Sequence, residues 1–321
     1  MDITIAARRL KRATQRTRLL AVLFISALVA TAAAAAGPSQ RTFATPEDAA
    51  SALVQALTAH DRVAALAVLG DAGDWISSGD AAADRATTER FIAAYTAKHA
   101  IERNDDKATL RIGEDDFPFA FPLVKRADRW RFDTAAGKDE LLARRIGQNE
   151  LDAINVLYAI ADAERDYASE DRNGDGVLVY AQKFASSAGK RDGLYWPTTA
   201  DEPPSPLGIF VAQAAGEGYR KSDTAPTPYH GYYYRMLKGQ GKNAQSGPLD
   251  YRVRGRDIGG FAVVAYPARY GNSGIMTFII NQDGKAYQAD LGAATREKAT
   301  KMQRFDPGSE WSPVSAPAGG G

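Results

Sequence analysis

A chain of 321 residues with 40 basic and 39 acidic side chains, three histidines and no cysteine has no disulfide framework and no thiolate metal site. Residues 1–36 hold six of the basic residues and one acidic residue, which leaves 34 against 38 and a net charge of −4 for the rest. That balance excludes a nucleic-acid partner recognised through clustered Lys and Arg.

The chain opens with Arg8, Arg9, Lys11, Arg12, Arg16 and Arg18, then an apolar run from Leu19 to Ala30 and the small residues Ala32 to Ala36. This is the pattern of a secretory signal peptide over residues 1–36. The run is too short, and too close to an Ala-x-Ala type of cleavage site, for a permanent membrane span. Arg8-Arg9 lacks the preceding Ser or Thr and the following Phe of a twin-arginine signal. The expected localisation is therefore exported, either periplasmic or extracellular. No cysteine follows the cleavage site to carry a lipid anchor.

Residues 43–137 read as a first α+β domain. Thr45-Pro46-Glu47-Asp48 is a helix start leading into Leu53, Val54 and Leu57, with Thr45 as N-cap and acids against the dipole. A second helix runs from Arg62 to Leu69 and stops at Gly70, and a third runs from Asp84 to His99. The period then changes, and Thr109–Gly113, Phe119–Lys125 and Arg129–Phe132 read as antiparallel strands. Helices followed by a sheet resemble the order of the nuclear-transport-factor-2-like (NTF2-like) superfamily, in which a pocket opens between the two. The residues available there for acid–base chemistry are His60, His99, Asp115 and Asp116, set against the plainer reading of helix ends and a solvated turn.

A boundary is expected at Asp133–Gly137, and residues 138–314 read as a second domain built on a long helix from 139 to 168. Leu151, Ile154, Leu157, Tyr158 and Ala161 form one apolar stripe, with Val156, Ile160, Ala163 and Tyr167 beside it. The helix runs into Asp171-Arg172-Asn173-Gly174-Asp175-Gly176, the first half of an EF-hand-type loop. Asp171, Asn173 and Asp175 would supply side-chain oxygens and Val177 a carbonyl to a structural calcium ion. The twelfth position is Gln182 where a bidentate Glu belongs, so a hydrogen-bonded Asx-type turn is the competing reading.

A long connection follows, punctuated by Trp196-Pro197, Pro203-Pro204-Ser205-Pro206 and Pro226-Thr227-Pro228, with one short helix from Pro206 to Ala215 capped by Ser205. Long connections of this kind often carry function. Tyr195, Trp196, Tyr229, His230, Tyr232 and Arg235 are candidates for a groove that takes a glycan or an extended peptide, or else for packing on the sheet. Neither His230 nor the Gly271-Asn272-Ser273-Gly274 turn sits in a nucleophile motif. Gly231–Leu237, Gly260–Tyr266, Met276–Asn281 and Lys285–Asp290 read as strands, the last two joined by a hairpin through Asn281-Gln282-Asp283-Gly284. Trp311 is the last residue expected to pack, and 315–321 reads as a disordered tail.

Five stretches carry a resemblance that spans nearly all of the chain after the signal. They are Ile146-Gly147-Gln148-Asn149-Glu150, the Asp171–Gly176 loop with Tyr180-Ala181-Gln182-Lys183-Phe184, Gly193-Leu194-Tyr195-Trp196-Pro197, Tyr229-His230-Gly231-Tyr232-Tyr233, and Gly260–Tyr266. On these the chain resembles a family of exported bacterial proteins catalogued as a domain of unknown function, number 2950. The resemblance implies export and no established activity. Residues 138–314 also resemble a pilin or pseudopilin globular domain, a long helix packed on an antiparallel meander, which implies calcium near the sheet. The helix departs from that pattern because it lies mid-chain and carries Asn149, Glu150, Asp152 and Asp162 in place of an N-terminal apolar stem. The reading drawn from all this is an exported, non-catalytic envelope or binding module whose partner is an envelope protein, a peptide or a glycan. Its alternative is a periplasmic hydrolase-like enzyme using a first-domain pocket or the Tyr229–His230 loop.

Overall fold

Local sequence sets the start of each of the first four helices through a side-chain cap. In the computed structural model, which describes residues 40–70, 73–172, 174–181, 183–220 and 226–314, Thr45 and Asp48 form a reciprocal capping box at α1 (Pro46–Thr58). Asp61 caps α2 (Arg62–Leu69), and Asp80 caps α3 (Ala81–Ala97). The readings of residues 1–36 and 315–321 lie outside the described residues, as do Asn173 and Gln182.

These helices cover a first antiparallel sheet of β1 (His99–Asn104), β2 (Lys107–Ile112), the short β3 (Phe117–Pro118), β4 (Leu123–Arg126) and β5 (Arg129–Phe132). Phe43 bridges to Trp130 at its edge. Leu53, Val68, Phe121, Leu123 and Phe132 are buried between helices and sheet. Two expectations shift here. The third helix starts three residues earlier than the sequence reading places it, because the Asp80 carboxylate accepts the Ala83 N–H. His99 opens a strand that the reading misses, and its ring stacks on Tyr95.

α4 (Thr134–Ala168) has 35 residues and so runs for about 50 Å. It begins inside the expected boundary, because Asp133 accepts the Ala136 N–H and starts the helix before Gly137. Its first turns pack on the first core, with Leu141 partly buried there, and its second half packs on the second. One residue of the expected stripe, Leu151, is 60% exposed. The other residues of the two stripes pack on the core, with Ile154, Val156, Leu157, Ile160, Ala161, Ala163 and Tyr167 buried and Tyr158 partly so, and Ala153 joins them.

The short helix α5 (Gly208–Gly216) follows. After it come β6 (Tyr232–Leu237), β7 (Gly239–Gln240), β8 (Leu249–Asp250), β9 (Arg252–Val253), β10 (Arg256–Asp257), β11 (Ala262–Pro267), β12 (Met276–Asn281), β13 (Tyr287–Asp290), α6 (Thr295–Lys301), β14 (Arg304–Phe305) and β15 (Ser312–Pro313). The main second sheet has the order β15-β13-β12-β11-β6, antiparallel throughout. β11 is buried along its whole length because both faces are covered. Phe261, Val263 and Ala265 face the core shared with α4, and Ala262, Val264 and Tyr266 face the core shared with Phe305 and with Ala299 of α6.

Ser205 does not cap α5. Leu207 occupies the cap position without a side-chain hydrogen bond, and its backbone N–H donates to Leu194 O. Packing continues past Trp311, since Ser312–Pro313 pairs with β13 and the Val314 N–H donates to Ala286 O.

The segment between α2 and α3 is fastened to the second sheet by side chains that donate to its backbone. Arg145 of α4 donates to Trp75 O at 2.9 Å and Ile76 O at 2.8 Å, and also to the Asn272 side chain. Asn272 and Arg269 each donate to Ser77 O at 3.0 Å.

Gly137 lies on the buried face of α4, where an added Cβ would meet the Phe121 ring inside contact distance. Helix propensity alone gives Gly→Ala a gain of about 1 kcal/mol, whereas overpacking a core costs about 1–3 kcal/mol. Gly137→Ala is therefore expected to lower stability in urea unfolding. A variant more stable than the parent would show that the ring yields freely.

Candidate functional site

Tyr195, Trp196, Pro197, Thr198, Pro204, Gly208, Ile209 and Ala212 line an open cleft of about 340 Å³. Its wall is a loop pinned by backbone bonds: the Leu194 N–H donates to Lys183 O at 3.0 Å and the Tyr195 N–H to Phe184 O at 2.8 Å. Gly193 is required there, since a Cβ would fall 2.8 Å from the backbone of Ala185. Trp196 is mostly buried under two guanidinium groups, Arg191 at 5.4 Å and Arg172 at 5.8 Å from the ring centroid. The opposite wall is α5, whose Ile209 is 67% exposed. The cleft thus offers apolar and proline edges with a cationic rim.

Of the six expected groove residues, the structure brings only Tyr195 and Trp196 into this cleft. Tyr229 and His230 belong to a second cluster, where Phe210 of α5 meets the Tyr229 ring edge-on at 5.2 Å. Tyr232 is fully buried, its hydroxyl donating to Met276 O at 3.0 Å. Arg235 turns to the other face of the sheet and donates to the Ala299 and Met302 carbonyls, which α6 leaves free at its C-terminus. Neither Tyr232 nor Arg235 is placed to line an open groove.

The His230 cluster draws on four elements. His230 holds φ +49°, an uncommon backbone state for a non-glycine residue. Its N–H donates to the Tyr219 hydroxyl at 3.1 Å, and the following N–H of Gly231 donates to Asp80 at 3.0 Å. Asp80 is buried and also accepts the Tyr219 hydroxyl at 2.9 Å. The imidazole Nδ1 lies 3.5 Å from Asp152 of α4, and Nε2 lies 3.3 Å from Glu217 just after α5. Tyr229 donates to the same Glu217 oxygen at 3.2 Å. Burial, more than the neighbouring carboxylate, pushes the Tyr229 phenol well above its ordinary range, and burial does the same to Tyr219.

In the Asp171–Gly176 loop, Asp171 accepts the backbone N–H groups of Gly174 at 2.8 Å, Asp175 at 3.3 Å and Gly176 at 2.7 Å. Asp175 accepts the Val177 N–H at 3.1 Å and pairs with Arg256 of β10 at 2.9 Å. This is the hydrogen-bond pattern of an Asx-type turn, with a guanidinium balancing Asp175. Among the described residues, no group of three His, Cys, Asp or Glu is arranged to hold a metal ion.

The first-half candidates are engaged separately. His99 contacts Tyr95 O at 2.9 Å, Asp116 pairs with Lys98 at 3.1 Å, and His60 closes α1 at positive φ. No hydrogen bond joins them among the described residues.

A family model described as "Protein of unknown function (DUF2950)" matches residues 40–314. The chain belongs to that family. No curated protein and no solved structure matches it. Within this DUF2950 chain, the stretches noted in the sequence meet around the second sheet. Asn149 donates to Ser273 O at 2.8 Å, and Glu150 accepts the Ile275 and Met276 N–H groups, both at 2.9 Å. Sequence reasoning misses Asp80, Asp152, Glu217 and Tyr219. Asp80 carries a readable signal as a helix cap before Ala81-Ala82-Ala83, but Asp152 and Glu217 look like ordinary solvated helix charges.

Glu164 is a further carboxyl that the sequence hides. It is fully buried on α4. One oxygen accepts the Ala181 N–H at 2.9 Å, and the other has no hydrogen-bond partner among the described residues. Burial pushes its pKa up from 4.5 to about 8, with the Ala181 bond opposing and Asp257 adding to the rise. The folded state thus keeps a proton that the unfolded chain releases near 4.5. This contribution to stability is full below that pH and is lost as pH rises toward about 8. Glu164→Gln is expected to flatten the decline of the urea midpoint across that window. An unchanged decline would remove Glu164 as its source.

Proposed function

We propose that this DUF2950 protein is an exported, non-catalytic envelope module that binds an extended glycan or peptide in the cleft between Tyr195-Trp196-Pro197 and α5. The observation that carries this reading is the cleft itself. Small-ligand sites are concave and mostly apolar with few polar groups, and Ile209 stands exposed on its rim beside two prolines and two aromatic side chains. The finer likenesses support a binding scaffold. Helices followed by an antiparallel sheet in residues 43–137 support reading that part as NTF2-like, and the second half of α4 on an antiparallel sheet supports reading residues 138–314 as pilin-like. The reading is tested by titrating the chain with a chitin oligosaccharide and with a proline-rich peptide. One of them is expected to bind, and Ile209→Asp to weaken that binding by roughly tenfold, as the loss of about 1.5 kcal/mol of apolar burial requires. Binding that ignores this substitution, or no binding of either probe, contradicts the reading.

A second reading concerns the 171–177 loop. We propose that calcium takes the place of Arg256 as the counter-charge of Asp175, with Asp171, Asn173 and the Val177 carbonyl completing a weak site suited to an exported protein. The glycines at 174 and 176 already hold positive φ, 73° and 78°. Millimolar calcium is expected to raise the melting temperature relative to chelator, and Asp175→Ala to abolish the rise. Equal melting in both would leave the loop as a turn closed by Arg256.

A further inference from the structure

We propose that a charged His230, set between Asp152 and Glu217, clamps the C-terminal end of α5 to α4, and that loss of this charge as pH rises loosens α5 and the cleft it walls. The consequence for binding rests on the cleft reading above. The clamp itself does not.

α5 needs such a device. None of its nine residues is fully buried. Its N-terminal end is anchored by the buried Leu207, and Phe210 and Val211 give only partial packing. Its C-terminal end is held by Glu217 and Tyr219 and by Arg220, which donates to Ala215 O at 2.8 Å. Glu217 lies 3.3 Å from His230 Nε2, while Nδ1 of the same ring lies 3.5 Å from Asp152 on α4. Both ring nitrogens face carboxylates, and only an imidazolium presents a proton to each; the neutral ring turns a lone pair toward one of them. The ring has little freedom to turn away from them, because the Tyr219 hydroxyl and Asp80 hold its backbone.

The charged and titratable groups that face His230 are Asp152 from α4, Glu217 from the end of α5, and the phenols of Tyr219 and Tyr229. Behind these stand Asp80 at the start of α3 and Arg85 on α3, whose Nη1 is 3.9 Å from where a Cβ on Gly218 would sit. Both phenols are held above their ordinary range by burial and remain neutral donors near neutrality. His230 is the imidazole of this cluster, and only its doubly protonated ring presents an N–H to Asp152 and to Glu217 at once. α5 supplies Gly208, Ile209 and Ala212 to the cleft. Movement at Glu217 therefore changes the cleft wall.

Amide hydrogen exchange of the full chain tests the clamp at about pH 5.5 and about pH 8, corrected for intrinsic rates. The α5 amides of the parent are expected to exchange roughly three- to fivefold faster at the higher pH, the scale of a partly exposed ion pair. His230→Gln should show the faster exchange at both. The β11 amides, Val263 to Ala265, report whether each variant is folded. If His230→Gln is not folded, Glu217→Gln carries the same test from a more exposed position, with loss of the pH dependence expected. Parent α5 exchange that ignores pH, or a folded variant that keeps the parent's pH dependence, overturns the clamp. No ligand enters this measurement, so a failure of the cleft reading under Ile209→Asp is recorded separately.

Discussion

Arg145 is the interaction on which the arrangement of the two halves depends. From α4 it reaches two backbone carbonyls of the segment before α3 and the Asn272 side chain of the second sheet. Partial burial holds its pKa below the ordinary guanidinium range, and a guanidinium withdrawn from water is stable only where its donors are used. Here the partners are carbonyl and amide oxygens, so the position is fixed by hydrogen-bond geometry more than by ion pairing. The same segment ends at Asp80, whose carboxylate caps α3 and holds Tyr219 and Gly231. The first half thus sets the position of the His230 turn and the end of α5.

α4 transmits that order. Its early turns are fitted to Phe121 through Gly137, its middle carries Asn149 and Glu150 to the loop before β12, and its last turns fill the core under β11 and β12. Polar groups occupy the middle because they meet backbone donors and acceptors there. The apolar groups lie where the sheet face is continuous. Glu164 is the exception, a buried acid that accepts the Ala181 N–H, and its contribution to stability is lost as pH rises from 4.5 toward about 8.

The sequence made the cap of α1, the stop of α2, the strand period and the hairpin at Asn281–Gly284 legible, because these are local effects of Thr45, Gly70 and Gly284. It also made the α+β class and the family legible. Sites were less readable, since the groups that meet are far apart in the chain. Asp80 and Gly231 lie 151 residues apart, and no pattern in one sequence pairs them. The expected groove failed as a unit because β6 alternates. Tyr232 points into the core under Gly274, whereas Arg235 reaches α6 on the other side. The 171–176 loop was readable as a turn of Asp, Asn and Gly, but the pairing of Asp175 with Arg256 depends on a hairpin far along the chain.

The central claim is that the ligand surface of this protein is the cleft on α5. The most direct measurement is mapping with a small organic probe, isopropanol, by backbone amide chemical shifts. The account predicts concentration-dependent shifts that centre on Tyr195, Trp196, Ile209 and Ala212. Shifts confined instead to the separate cavity of about 370 Å³ beside Met236, Tyr251 and Phe261 would contradict it.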